Sequence, residues 1–230
     1  MAEFAFAPPA QVVVPVTNGQ LFPVRRVFCV GRNYAAHARE MGNDPTREPP
    51  FFFAKPADAL ITGGRDTLYP SQTSNLHHEI ELVVAIGTGG EDITVADALS
   101  HVYGYTIGLD LTRRDLQDEA KAMRRPWDLS KGFDASAPIG EIVPVSKIGH
   151  PASGRITLEV NGKMRQSGDL ADQIWPVPDI ISILSRFVAL APGDLIFTGT
   201  PEGVAAIAKG DTLVGEIEGI GTLRTKIIGR

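Results

Sequence analysis

Three acidic residues have the type and spacing to hold a divalent cation. Glu79 and Glu81 lie in the apolar segment 78–83, which the pattern predicts to be a strand. Residues i and i+2 of a strand point to the same face, so the two carboxylates converge. Asp110 interrupts a second apolar segment, residues 105–111. Carboxylate oxygens are the ligands that Mg²⁺ and Mn²⁺ prefer, and a cation between these groups would relieve their mutual repulsion.

An ordinary amphipathic strand explains the same spacing without a metal. In that arrangement Glu79 and Glu81 face solvent, while Ile80 and Leu82 pack in the core. Asp110 favours the metal site, because a buried carboxylate without a partner is costly. Both arrangements remain open at the level of the sequence.

A second pair, His37 and Glu40, has the spacing of a general base and its orienting carboxylate. Asn33 is a favourable N-cap and Gly42 a favourable residue after a helix, so a short helix is predicted between them. Residues i and i+3 share a helix face, and a carboxylate beside an imidazole raises its basicity. Such a pair can remove a proton from water. The same two residues would also suit a solvated helix surface.

A glycine-rich turn at 197–203 follows another predicted strand and has the sequence FTGTPEG. Its backbone N–H groups and threonine hydroxyls could bind a carboxylate or a phosphate. No Gly-Lys-Ser or Gly-Lys-Thr follows, so the turn is not a nucleotide-binding P-loop. A plain tight turn accounts for this composition equally well.

Short apolar segments rich in β-branched residues predict the sheet that must position these groups. The dipeptide Asn161-Gly162 supplies the positive φ angles of a type I′ turn, which predicts a hairpin across 156–166. The 24 glycines and 17 prolines indicate many tight turns. Strands outnumber helices without strict alternation, so we predict a β-rich α+β fold with a mixed sheet folded over on itself. The other predicted strands are 27–30, 80–86, 102–111, 195–198, 212–217 and 222–228.

Two helices are predicted in the second half of the chain. Thr112 and Asp115 resemble a capping box that opens the first helix. The apolar residues on one face of that helix are Leu116, Ala120 and Met123. The second helix opens at Pro178 and Asp179 and contains Ile181, Leu184, Phe187 and Val188.

Composition excludes several classes of protein. Hydrophobic residues make up 43% and charged residues 21% of the 230, as in an ordinary globular chain rather than a disordered one. A net charge of −5 without basic runs argues against binding to nucleic acid. No apolar run is long enough to span a membrane, and no signal peptide is recognisable. The single cysteine, Cys29, is typical of a reducing compartment, so a cytoplasmic location is predicted.

Seven segments together resemble the fumarylacetoacetate hydrolase family. Each is weak alone, but their shared order and spacing are specific, and the similarity runs from about Val27 to the C-terminus. The segments are Gly31–His37, Phe53–Pro56, His78–Leu82, Gly104–Asp110, Arg114–Gln117, Lys131–Phe133 and Phe197–Pro201.

The resemblance implies the family's mixed β-sandwich roll over residues 26–230, preceded by an N-terminal arm at 1–25. The short length is similar to the acylpyruvate hydrolase branch, and Leu21–Arg26 and Gln166–Asp172 are most similar to bacterial fumarylpyruvate hydrolases of gentisate breakdown. The implied reaction is metal-dependent hydrolysis of fumarylpyruvate to fumarate and pyruvate. Alternatives are a general acylpyruvase, an oxaloacetate decarboxylase and an isomerase of unsaturated 2-oxo diacids.

The resemblance also implies roles for single residues. Mg²⁺ or Mn²⁺ would be held by Glu79, Glu81 and Asp110, while His37 with Glu40 would activate water. Lys131 would balance an oxyanion or protonate the enolate carbon. A homodimer and a small 2-oxo acid substrate are implied as well. Substrate contacts are implied for Arg32, Arg114, Gln117 and Thr200.

Overall fold

The computed structural model describes residues 3–35 and 49–229. Four α-helices lie wholly within these ranges: α1 (Arg114–Ala122), α2 (Asp128–Lys131), α3 (Val145–Ile148) and α4 (Val177–Ser185). The strands in the first half are β1 (Val13–Pro15), β2 (Leu21–Pro23), β3 (Arg26–Gly31), β4 (Phe51–Lys55), β5 (Leu60–Ile61), β6 (Thr67–Leu68), β7 (Leu76–His77), β8 (Ile80–Ile86) and β9 (Val102–Leu109). Those that follow are β10 (Thr112–Arg113), β11 (Ala137–Pro138), β12 (Val143–Pro144), β13 (Arg155–Val160), β14 (Lys163–Asp169), β15 (Asp194–Phe197), β16 (Ala206–Ile207), β17 (Thr212–Ile217) and β18 (Gly221–Ile228).

Two large sheets form the body of the molecule. A six-stranded sheet has the order β12-β9-β8-β15-β3-β4, and a five-stranded sheet has the order β14-β13-β17-β18-β6. The first sheet is mixed, because β15 runs parallel to β3 and antiparallel to β8. One apolar core joins the sheets and contains, among others, Leu82, Ile107, Leu158 and Leu213. The predicted β-rich α+β class is confirmed.

Strand β8 is buried on both faces. Leu82, Val84 and Ile86 point into the core between the sheets. Val83 and Ala85 point to the opposite face and into a second core. This double burial is why the segment is uniformly apolar, since alternation appears only when one face meets water.

The second core includes residues of the N-terminal segment. Strands β1 and β2 pair as an antiparallel hairpin, and their Val14 and Phe22 pack in the same cluster as Cys29 and Leu195. The division into an arm at 1–25 and a domain at 26–230 remains a prediction.

The hairpin predicted from Asn161 and Gly162 is confirmed. Strands β13 and β14 pair across it, and the two turn residues have φ of 53° and 72°. Positive φ at both positions is what a type I′ turn requires. The predicted strands at 80–86 and 212–217 are found with those bounds, and the last strand begins one residue earlier than predicted.

The predicted capping box of α1 is wrong. The helix begins at Arg114 and has no side-chain cap. The Asp115 carboxylate accepts hydrogen bonds from the Thr73 hydroxyl at 2.6 Å and the Ser74 N–H at 3.0 Å. A loop distant in sequence therefore uses the group that the local pattern assigned to the helix start.

Of the apolar residues predicted to share one face of α1, only Ala120 belongs to its buried face. Arg114, Gln117 and Ala120 are the buried residues, whereas Met123 follows the helix and is 53% exposed. The helix turns a polar face inward because Arg114 pairs with a buried carboxylate. Helix α4 is confirmed in place but ends at Ser185, and Phe187 beyond it is 74% exposed.

In the part of the chain that the structure describes, no helix combines the length and the apolar character needed to cross a bilayer.

We expect Gly108→Ala to destabilise the protein, because β9 passes very close to its neighbours at this residue. A Cβ on Gly108 would overlap the Phe197 ring and lie 2.7 Å from Val83 Cγ2, and both side chains are fully buried. Overpacking of this kind costs about 1–3 kcal/mol, which lowers Tm by about 2–12 °C in a domain of this size. Thermal unfolding measures the shift. Gly229→Ala is the matched control, because a Cβ there makes an ordinary contact at 3.6 Å; equal Tm values for both variants would contradict this reading of the packing.

Candidate active site

The pairing of β8 with β9 brings the three carboxylates together. Glu81 lies opposite Gly108 in the antiparallel register. Just beyond the strand end, the Asp110 N–H donates to the Glu79 carbonyl at 2.8 Å. The two strands therefore deliver all three acidic residues to one end of the sheet, where ligand oxygens of Glu79, Glu81 and Asp110 lie within 4.8 Å of one another.

All three carboxylates are buried. Glu79 is 5% exposed, Glu81 2% and Asp110 not at all. The arrangement in which Glu79 and Glu81 face solvent is therefore wrong. Both faces of β8 are covered, so Glu81 has no solvent face to occupy, and Glu79, directly before the strand, lies against Arg114 and Lys131.

The glycine-rich turn after β15 binds one of these carboxylates. The Gly199 N–H donates to Glu81 Oε2 at 2.7 Å. The sequence predicted that this turn could hold a carboxylate, and it holds one of the chain's own. Burial raises the pKa of the Glu81 carboxyl well above its usual value, and the negative charges of Asp110 and Glu79 raise it further. A nearby cation would therefore stabilise the charged form of Glu81.

Lys131 and Arg114 supply positive charge to the other two carboxylates. Lys131, at the end of α2, places Nζ 2.7 Å from Glu79 Oε2 and 2.7 Å from Asp110 Oδ2. Arg114, at the start of α1, forms an ion pair with Glu79 Oε1. Burial lowers the pKa of the Lys131 ammonium, but Asp110 and Glu79 more than offset this and raise it above its usual value. Lys131 therefore carries a positive charge between the two carboxylates.

Lys55 is a member of the cluster to which the sequence assigned no role. Its ammonium lies 2.8 Å from Asp110 Oδ1 and is fully buried. Its hydrogen bonds go to the carbonyls of Leu111 and Ser136, at 3.2 Å each, and of Lys131. An ammonium has three protons, and these three carbonyls use them all. The available signal was a lysine within the apolar segment Phe51–Pro56.

The donor set fits a divalent cation. Asp110 Oδ1 receives no hydrogen bond in the described part of the chain, although it is buried. Among the same residues, no cation pairs with Glu81. Buried acceptors without donors are rare, and carboxylate oxygens are the ligands that Mg²⁺ and Mn²⁺ prefer. Two of the three carboxylates therefore retain an oxygen that a metal ion would satisfy.

The four residues assigned to substrate all line the cleft that contains the carboxylates: Arg32, Arg114, Gln117 and Thr200. Gln117 Oε1 accepts a hydrogen bond from Arg114, which can only donate. The Gln117 amide nitrogen is therefore the end left for other partners. It can donate two hydrogen bonds, which suits an anionic ligand in the cleft.

Aromatic side chains line both this cleft and a second, neighbouring cleft of about 510 Å³. Trp127 packs edge-on against Phe51 and Phe53, with ring centroids 5.2 and 5.8 Å apart. Arg32 has φ of 60° and lies over the Phe51 ring, with Cζ 5.3 Å from the centroid. The second cleft is large enough for a small acyl group, and Arg32 and Lys131 line both clefts.

His37 and Glu40, the predicted general base and its partner, lie outside the described residues. Their place relative to the carboxylates is therefore known only as a prediction.

Comparison with known proteins agrees with this geometry. Residues 26–228 match the family model described as fumarylacetoacetate hydrolase C-terminal. A crystal structure of fumarylpyruvate hydrolase from Pseudomonas aeruginosa with Mn²⁺ and pyruvate is 53% identical. The match covers 99% of this chain and 100% of the Pseudomonas aeruginosa chain, and the TM-score is 0.96.

Curated relatives have a different activity in their names. Oxaloacetate tautomerase FAHD1, mitochondrial, of Rattus norvegicus is 43% identical over 203 residues, which are 88% of this chain and 91% of the relative. Oxaloacetate decarboxylase, mitochondrial, of Dictyostelium discoideum is 41% identical over 86% of this chain and 91% of the relative. Since the family model spans most of the sequence and relatives at this identity cover nearly all of it, the chain belongs to the fumarylacetoacetate hydrolase family.

Proposed function

We propose that this protein hydrolyses the C–C bond of an acylpyruvate, with fumarylpyruvate as the preferred substrate. In this reaction R–CO–CH₂–CO–COO⁻ and water give R–COO⁻, pyruvate and a proton. The observation that carries the proposal is the cluster of three buried carboxylates in a cleft lined with cations and amide donors. The name of the Pseudomonas aeruginosa relative supports the choice of substrate.

Glu79, Glu81 and Asp110 would hold a divalent cation, Mg²⁺ or Mn²⁺. When bound, such an ion would supply positive charge that stabilises the negative charge developing on the pyruvoyl group as the C–C bond breaks. Local positive charge is needed, since the chain as a whole carries −5 and would repel an anionic substrate.

The chain's own side chains bind and orient the substrate. Thr200 and the free amide end of Gln117 donate hydrogen bonds to the substrate carboxylate. Lys131 lies as an ammonium against Glu79 and Asp110, so it balances the charge of the developing enolate, then donates its proton to the carbon and is reprotonated from solvent. His37, oriented by Glu40, takes a proton from the water that attacks the distal carbonyl.

The relatives from Rattus norvegicus and Dictyostelium discoideum favour a second candidate, conversion of oxaloacetate by tautomerisation or decarboxylation. Both reactions pass through an enolate of a 2-oxo acid, so they draw on the same carboxylates and cations. Neither requires a water nucleophile. Tautomerisation does remove a proton from carbon, so dependence on the general base distinguishes hydrolysis from decarboxylation, and the products distinguish it from tautomerisation.

We expect Glu81→Ala to abolish activity and weaken Mn²⁺ binding. Removal of one carboxylate leaves too few fixed oxygen ligands for an ion that needs several. Calorimetric titration with Mn²⁺ and the rate of fumarylpyruvate hydrolysis measure the two effects. Glu216→Ala, an exposed glutamate on β17, is the matched control and leaves both unchanged. Full activity of wild-type protein in excess chelator would contradict the metal site.

His37→Ala separates hydrolysis of fumarylpyruvate from decarboxylation of oxaloacetate. A positioned general base contributes about 10²–10⁴-fold, so we expect fumarylpyruvate hydrolysis to fall by that factor. Decarboxylation of oxaloacetate falls far less, because no water has to be activated and no proton has to be removed before the C–C bond breaks. Both rates are measured on the same preparation. Equal losses in the two reactions would show that His37 positions substrate rather than acting as the base.

Arg32→Met tests whether Arg32 reads the second carboxylate of fumarylpyruvate. A charged hydrogen bond is worth about 10–150-fold in kcat/KM, so the preference for fumarylpyruvate over acetylpyruvate falls by that factor. Acetylpyruvate has a methyl group at this end, and its kcat/KM changes little. Arg186→Met, an exposed arginine after α4, is the control. If the preference survives the substitution at Arg32, another group reads the carboxylate; if wild type shows none, the enzyme is a general acylpyruvase.

A further inference from the structure

A buried amide at Gln166 is fixed in one orientation by backbone groups on both sides. The Ile80 N–H donates to its Oε1 at 3.1 Å, and its Nε2 donates to the Pro201 carbonyl at 2.8 Å. A backbone N–H can only donate and a carbonyl can only accept, so the amide has a single satisfactory orientation. His78 Nδ1, 2.8 Å from the same Oε1, must then carry a proton and donate as well.

This orientation determines how the Thr200 hydroxyl is used. Gln166 Nε2 lies 2.8 Å from Thr200 Oγ1, so the hydroxyl oxygen accepts a hydrogen bond from the amide. The hydroxyl proton has no acceptor in the described part of the chain. Thr200 lines the cleft that contains the three carboxylates. Its proton is therefore available for a ligand there.

Two residues earlier, Thr198 forms a similar pair with Gln173, but its hydroxyl proton has an acceptor. Thr198 Oγ1 accepts from Gln173 Nε2 at 2.8 Å and donates to the Leu82 carbonyl at 3.0 Å. The Thr198 hydroxyl therefore both accepts and donates a hydrogen bond within the core. Both threonine hydroxyls accept a hydrogen bond from a glutamine amide. In the described part of the chain, only the Thr198 hydroxyl also has an acceptor for its own proton.

We infer that Gln166 is a positioning residue that makes the Thr200 hydroxyl a hydrogen-bond donor to the carboxylate of a bound 2-oxo acid. By occupying the hydroxyl oxygen as an acceptor, Gln166 leaves the proton to point into the cleft. A donor that is oriented before the ligand arrives needs no reorganisation on binding. This inference rests on the proposed function, since it assumes a 2-oxo acid in the cleft.

Gln166→Glu tests the direction of the hydrogen bond with almost no change in shape. Both side-chain oxygens of the carboxylate accept, so the Thr200 hydroxyl donates to it and turns its proton away from the cleft. We expect the affinity of Mn²⁺-loaded protein for pyruvate to fall about 10–150-fold, the value of a charged hydrogen bond. Calorimetric titration with pyruvate measures the change without turnover.

A double-variant cycle with Thr200→Val separates the hydroxyl from direct charge repulsion. Repulsion between a new carboxylate and pyruvate would persist in the Thr200→Val background, whereas an effect through the hydroxyl would not. We expect most of the loss caused by Gln166→Glu to disappear in that background. The same loss in both backgrounds, or wild-type affinity in Gln166→Glu, would overturn the inference.

Two further variants guard against a general loss of structure. Gln173→Met breaks the pair at Thr198, and pyruvate affinity should stay within about twofold of wild type. If Gln166→Glu does not fold, the same cycle is run with the neutral Gln166→Met, which also leaves the hydroxyl without its amide donor. If Gln166→Met lowers pyruvate affinity equally in the wild-type and Thr200→Val backgrounds, the inference is overturned.

The outcome is distinguishable from failure of the proposed function. The variants could show the expected changes in pyruvate affinity while the wild-type protein fails to hydrolyse fumarylpyruvate. That result would support the role of Gln166 and contradict the proposed reaction. Wild-type protein that binds no pyruvate in the presence of Mn²⁺ overturns the inference itself.

Discussion

Burial of three negative charges at the end of two paired strands is the constraint on which the site depends. An unpaired buried charge costs several kcal/mol, so each carboxylate needs a cation, a proton or hydrogen-bond donors. Glu79 and Asp110 receive cations from three separate elements, β4, α1 and α2. Glu81 receives a backbone N–H and no cation in the described part of the chain. Glu81 is therefore the carboxylate whose charge the described residues leave without a cation, and a metal ion would supply one.

The polar groups around this cluster are oriented by partners whose roles cannot be reversed. Arginine and backbone N–H groups only donate, and carbonyls only accept. Through Arg114, the amide of Gln117 has its nitrogen left free. The Ile80 N–H and the Pro201 carbonyl likewise fix the orientation of the Gln166 amide. The cleft thus has donors set in place by the fold, which is how a protein stabilises developing negative charge without reorganisation.

Local sequence patterns predicted those features that local chemistry decides. The Asn161-Gly162 turn and the apolar segment of β8 depend on neighbouring residues alone, and both are found where predicted. The i, i+2 spacing of Glu79 and Glu81 placed them together, but their burial required knowledge that both faces of β8 are covered. The inward face of α1 and the part played by Lys55 depend on partners more than 30 residues away in sequence. Periodicity carries no information on such contacts.

The double burial of β8 has a consequence for the unfolded chain. Residues 82–86, with the sequence LVVAI, are β-branched or apolar and carry no charge, which is the composition of a segment that aggregates when exposed. Glu79 and Glu81 stand directly before it, as charged gatekeepers do beside hydrophobic strands that cannot be avoided. The two glutamates that belong to the carboxylate cluster therefore also place charge beside this apolar segment, which disfavours its self-association in the unfolded chain.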